Sequence, residues 1–121
     1  MTNNVSPIER FPQAHKLPVA VRNRLITQVV DSLQTSNAAV EKAIKILFER
    51  QTWAERAASQ TLEDNYLGVR HNHARRVTYY GRWLASGRKL TGLHLERART
   101  LAMTYSRTQL MELAALKAGL I

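Results

Sequence analysis

Apolar residues recur along this chain at intervals of three and four, and no stretch alternates apolar with polar over strand length. That spacing marks amphipathic α-helices, because 3.6 residues per turn bring such positions onto one face. Val21, Leu25, Ile26, Val29, Val30 and Leu33 form the first stripe. They predict a helix from Pro18 to Gln34, with Pro18 pre-set for its first turn. The polar run Gln34, Thr35, Ser36 and Asn37 predicts a turn, and Asn37 is the expected cap of a second helix reaching about Ser59. Val40, Ala43, Ile44, Leu47, Phe48, Ala54 and Ala57 make its stripe, and Glu41 and Lys45 are spaced for an i,i+4 ion pair.

Residues 60–71 keep no period and read as a loop. Asn72 is then the expected cap of a third helix, with Ala74, Val77, Gly81 and Leu84 inward and Gly87 ending it. Gly81 costs about 1 kcal/mol against Ala inside a helix, so close packing on a neighbouring helix is its expected reason. Thr91, with Leu90 and Leu95 as a hydrophobic staple, starts a fourth helix. Its stripe runs through Leu95, Ala98, Ala102, Tyr105, Leu113 and Leu116, and Ser106 and Gln109 carry the spacing of a capping box that breaks it once. The fold expected is all-α: a small bundle of about four helices over residues 18–121, preceded by an extended, Pro-containing arm over residues 1–17.

Composition narrows the possibilities further. A chain of 121 residues, 45% of them apolar, buries one modest core and makes one domain. It has no cysteine, which excludes a disulfide scaffold, thiolate metal sites and a cysteine nucleophile. The opening MTNNVSPIERFPQAHKLP is polar and broken by proline, unlike a secretory signal, and no run approaches 18 apolar residues. No membrane partner and a cytoplasmic location are therefore expected.

Charge changes the picture more. The net charge is +9, and it is unevenly placed. Residues 1–64 hold eight Lys or Arg against seven Asp or Glu, whereas residues 65–121 hold ten against two. From Asn65 to Leu95 there is no carboxylate at all. If Ala74, Val77, Gly81 and Leu84 face inward, then Arg75, Tyr79, Arg82 and Ser86 face solvent, with Arg76, Tyr80 and Trp83 on the flank. Arg70 precedes this helix, and Arg88 and Lys89 follow it. Guanidinium groups suit phosphates, and aromatic rings suit unstacked bases. Arg70, Arg75, Arg76, Tyr79, Arg82, Arg88 and Lys89 are accordingly the candidate nucleic-acid-binding residues. The competing account makes Tyr80 and Trp83 core and pairs the arginines with Asp31, Glu41, Glu49 and Glu55 of the first two helices.

Other readings fit less well. The connection from Gly87 to Thr91 is long for a helix-turn-helix, and no recognition helix follows it. His71-Asn72-His73 is contiguous, unlike the separated residues of the nuclease motif named for His, Asn and His. It also lacks the apolar middle residue of the His-hydrophobe-His site in tyrosine-dependent nickases. His71, His73 and Asp64, even with His15 or His94 approaching, make a poor zinc set, so the histidines are read as part of the basic surface. With no phosphate-binding Gly-rich loop, nucleophile elbow or carboxylate pair, neither an enzyme nor a cofactor is expected.

Gln51-Thr52 with Glu55, Asn65 and Gly68, Gly87-Arg88 with Leu90-Thr91, and Ala98-Arg99 with Tyr105 and Gln109-Leu110 are the residues of a resemblance. Together they resemble a helical segment of phage- and plasmid-borne proteins that handle DNA. The resemblance covers about half the chain and implies a mobile-element origin; no catalytic role comes with it.

The sequence thus points to a basic helical nucleic-acid-binding protein, alone or as an accessory subunit of a ribonucleoprotein. It would grip the backbone of single-stranded DNA or RNA with little base specificity. The alternative is a protein-interaction module, a phage or plasmid factor whose arm, residues 1–17, docks on an acidic host protein and blocks or redirects it.

Overall fold

The computed structural model describes the backbone of residues 13–58 and 71–121 and the side chains of residues 13–51 and 73–121. Among the described residues there are five α-helices and no strand: α1 (Val19–Thr35), α2 (Asn37–Ala58), α3 (His71–Ala85), α4 (Gly92–Thr104) and α5 (Gln109–Lys117). The fold is all-α. The stripe expected to run on to Leu116 divides into two helices at a turn over residues 105–108, which adds the fifth helix.

Helix α2 is the hub, packing against α1, α3 and α4, while α1 also meets α4 and α5. The predicted stripes explain why. Val40, Ala43, Ile44 and Leu47 are buried on α2, and Val77, Tyr80 and Leu84 meet them from α3. Leu95, Ala98, Leu101 and Ala102 come from α4, with Leu33 of α1 and Leu110 of α5 closing the same cluster. Gly81 of α3 lies directly against Phe48 of α2. A Cβ built on it would lie 2.3 Å from Cγ of Phe48 and 2.6 Å from its Cβ, so only glycine permits this approach.

Helix ends depart from expectation in informative ways. Ser36, not Asn37, caps α2: its Oγ accepts from the Ala39 amide at 3.1 Å. The Asn37 Oδ1 instead accepts from Arg99 Nη2 at 2.7 Å. Glu41 does not pair with Lys45, because its Oε2 accepts from the Leu90 amide at 2.8 Å and ties the α3–α4 connection to α2. Thr91 sits at the start of α4 without a side-chain capping bond. The expected Ser106–Gln109 capping box is not formed. Ser106 Oγ donates to the Met103 carbonyl at 2.8 Å, and Gln109 Oε1 accepts from Arg50 Nε at 2.9 Å, so both side chains are engaged elsewhere. The turn also resets the helical phase. Leu113 and Leu116 are only half-buried, and Leu110, Met111 and Ala115 form the inner face of α5. Helix α3 already begins at His71, so residue 71, expected in the loop, is helical and Asn72, expected as the cap, lies inside the helix. The side chains of Ala54 and Ala57 and the remainder of that loop, 60–70, lie outside the described ones.

The arm expected over residues 1–17 differs where it can be followed, and residues 1–12 lie outside the described ones. Ala14–Lys16 form a 3₁₀ turn in place of extended chain. Glu112 of α5 holds it: its two carboxylate oxygens accept the amides of Gln13 at 2.7 Å and Ala14 at 2.8 Å. Ala14 is fully buried in a second, smaller cluster with Leu25 of α1 and Met111 and Ala115 of α5. A carboxylate with both oxygens bonded to backbone N–H is a stronger anchor than a neutral acceptor.

Two stability outcomes follow. Gly81→Ala forces the new methyl group into Phe48, and the overpacking cost of about 1–3 kcal/mol exceeds the roughly 1 kcal/mol gained in helix propensity. The expected result is a lower midpoint in denaturant unfolding, where an ordinary helix glycine would show a rise. Glu112→Ala leaves two amides without their acceptor and should cost about 2 kcal/mol. Hydrogen exchange at Gln13 and Ala14 is expected to speed up first.

Candidate nucleic-acid interface

Helix α3 places its charge where its apolar stripe does not go. With Val77, Tyr80, Gly81 and Leu84 buried against α2 and α4, the 3.6-residue period leaves Arg75, Tyr79, Arg82 and Ser86 exposed. These side chains line an open groove of about 680 Å³ together with Gln51, Ala74, Thr78, Trp83 and Arg88. The floor is polar on its α2 side, where Gln51 Nε2 donates to Thr78 Oγ1 at 3.1 Å.

The seven candidates therefore separate. Arg75, Tyr79, Arg82 and Arg88 share the groove. Arg76 and Lys89 are exposed but do not line it, and Arg70 lies outside the described residues. Trp83, read as a flank or core residue, is only half-buried and contributes its ring to the groove. Tyr80, by contrast, is core, and its hydroxyl lies 3.4 Å from Nδ1 of His94.

The aromatic rings form a continuous surface. Tyr79 is 55% exposed, and its ring stacks on Trp83 with an interplanar angle of 24° and centroids 6.4 Å apart. On its other contacts Tyr79 meets Tyr80 edge-on and His94 at a tilt. The Arg88 guanidinium lies over the Trp83 ring, 4.5 Å from its centroid, an interaction worth about 0.5–1 kcal/mol at an exposed site. Gly87 makes that possible. Its φ of +86° ends α3 in the left-handed region and folds the chain back, so that Trp83 Nε1 donates to the Lys89 carbonyl at 2.9 Å.

The described carboxylates of the first two helices do not pair with this surface. Among the described residues, no carboxylate lies within ion-pairing distance of Arg75, Arg76, Arg82, Arg88 or Lys89, and the one ion pair between described side chains joins Arg99 to Glu96. Asp31 and Glu49 are exposed, Glu41 serves the Leu90 amide, and the side chain of Glu55 lies outside the described ones. Arg99 is spent on structure, donating to the Leu33 carbonyl, to Asn37 and to Glu96. Sequence spacing alone could not tell it from the free arginines.

No group of three or more His, Asp or Glu side chains capable of holding a metal ion occurs among the described residues. His73, one of the histidines considered for a metal, shares a 2.8 Å hydrogen bond between its Nδ1 and the Tyr105 hydroxyl. The side chain of His71, and Asp64, lie outside the described set. No helix among the described residues is long and apolar enough to cross a membrane. Neither a protein-family model nor a curated protein nor a solved structure matches this chain.

The positive excess also strains the molecule elsewhere. The neighbouring Lys117 side chain of α5, competing for protons and repelling a like charge, holds Lys42 of α2 below the ordinary lysine value of 10.5. A lysine whose folded value is lowered destabilises the fold while protonated, and the penalty fades as pH rises through the lysine range. Lys42→Gln should therefore raise the thermal midpoint at pH 7. The gain is expected to shrink in molar salt and to vanish above pH about 10.5, as followed by circular dichroism.

Proposed function

We propose that this protein binds single-stranded nucleic acid, DNA or RNA, through the α3 groove, gripping phosphates with little base specificity, alone or as an accessory subunit of a nucleoprotein. The observation that carries this reading is the coincidence, in one open groove, of three guanidinium groups with no carboxylate partner among the described residues and two stacked aromatic rings. Arg75, Arg82 and Arg88 are the phosphate contacts from within the groove, with Arg76 and Lys89 adding charge at its margins. A fold that leaves like charges clustered and unneutralised is relieved by a polyanion more than by any neutral ligand. Single strands are preferred to duplex because the rings offer stacking to bases that are not already stacked. The resemblance to DNA-handling segments of mobile elements agrees with this reading.

A second reading, docking on an acidic protein, draws on Leu93. This residue is 63% exposed and adjoins His94, which packs against Tyr79, so an apolar shoulder flanks the charged groove. A partner retained after nuclease digestion would favour that reading.

The test is a binding titration against single-stranded DNA, single-stranded RNA and duplex at several salt concentrations. With about five phosphates contacted, log affinity should fall against log salt at a slope of roughly −3.5 for single strands. Replacing Arg75 and Arg82 by Ala should flatten that slope by about 1.4, at unchanged helicity. Binding that ignores salt removes the proposal.

A further inference from the structure

We infer that Arg88 is a placeholder on a nucleobase-stacking site. In the free protein its guanidinium covers a face of Trp83; a base of the bound strand displaces it, and the freed guanidinium takes up that strand's phosphate. This rests on the nucleic-acid reading above and adds to it the residue that receives a base and the residue that gives way.

The local geometry is suited to the exchange. Backbone on either side of Arg88 is held: Gly87 closes α3 through its amide to the Leu84 carbonyl, the Lys89 carbonyl accepts the indole N–H, and the Leu90 amide is bonded to Glu41. Arg88 itself is exposed, and its contact in the described structure is the ring of Trp83. Side-chain rotation alone therefore uncovers the indole, with no helix or loop moved. Trp83 is meanwhile kept in orientation from two directions, by Tyr79 stacked on it and by its own N–H bond to Lys89. A base on an aromatic ring gains more than an exposed cation does at the same place, so the exchange runs downhill. The displaced group also exchanges a cation–π contact for a charge-assisted bond to phosphate. Arg75 and Arg82 line the same groove and would hold the neighbouring backbone during it.

The sequence holds two tryptophans, at 53 and 83, so a Trp53→Phe background isolates the emission of Trp83. In that background the full chain is titrated with an oligothymidylate and with an abasic phosphodiester strand of equal length. The oligothymidylate should quench Trp83 and bind roughly fivefold or more tightly than the abasic strand. Trp83→Leu should bring the two affinities together. Arg88→Ala should flatten the salt slope by about 0.7, the share of one phosphate, while keeping the preference for the base-bearing strand. Circular dichroism accompanies each variant, and Arg88→Ala carries the test if Trp83→Leu does not fold.

Equal binding of both strands with unchanged Trp83 emission overturns the placeholder role and leaves backbone binding standing. Loss of the base preference in Arg88→Ala also overturns it, since the guanidinium would then be what reads the base. Binding of neither strand removes this inference together with the reading beneath it.

Discussion

The approach of α3 to α2 at Gly81 and Phe48 sets the rest of the molecule. With a glycine at the crossing, the two backbones come close enough for Val77, Tyr80 and Leu84 to reach the α2 stripe. That contact fixes the rotation of α3 about its own axis. Once the rotation is fixed, helical geometry leaves Arg75, Tyr79 and Arg82 no inward option. The charged groove is thus a consequence of core packing, held in place without any ion pair among its own described residues. Glu41 extends the same control beyond the helix, because its bond to the Leu90 amide fixes the path on which Arg88 lies.

The positive residues divide by what surrounds them. Arg50 is 1% exposed and bonded to Gln109 across α2 and α5, and Arg99 bridges α1, α2 and α4 through a carbonyl, an amide and a carboxylate. Burying a guanidinium is tolerable only with such partners. The groove arginines show the opposite pattern, open to solvent and facing no carboxylate among the described residues. Among the described residues, the α3 groove is therefore where guanidinium groups gather without such structural partners.

Much of this was legible from periodicity. The α1 and α3 stripes, the glycine at 81 and the stop at Gly87 all depend on local spacing and conformational cost, which a single sequence carries. What it did not carry were choices among equivalent hydrogen-bonding partners. Ser36 and Asn37 are both good caps, and only the position of Arg99 decides which side chain is left for the helix end. Glu41 had a lysine at the right spacing and a backbone amide 49 residues away, and the amide won. The 3₁₀ turn at Ala14–Lys16 likewise depends on Glu112, which no local rule connects to it. At the groove, spacing put Tyr79 outward but left the flank undecided, where the structure buries Tyr80 and turns the half-buried Trp83 into the groove.

The turn over residues 105–108 carries a consequence for how this chain tolerates change in length. Helix α5 is short, and its two duties point in fixed directions: Met111 and Ala115 toward α1, Glu112 toward the amides of Gln13 and Ala14. One residue inserted in or deleted from that turn swings every later side chain by about 100°. The carboxylate clamp and the apolar face would miss their targets together. The segment is therefore length-locked, and among viable descendants of this sequence it should accept substitutions far more readily than insertions.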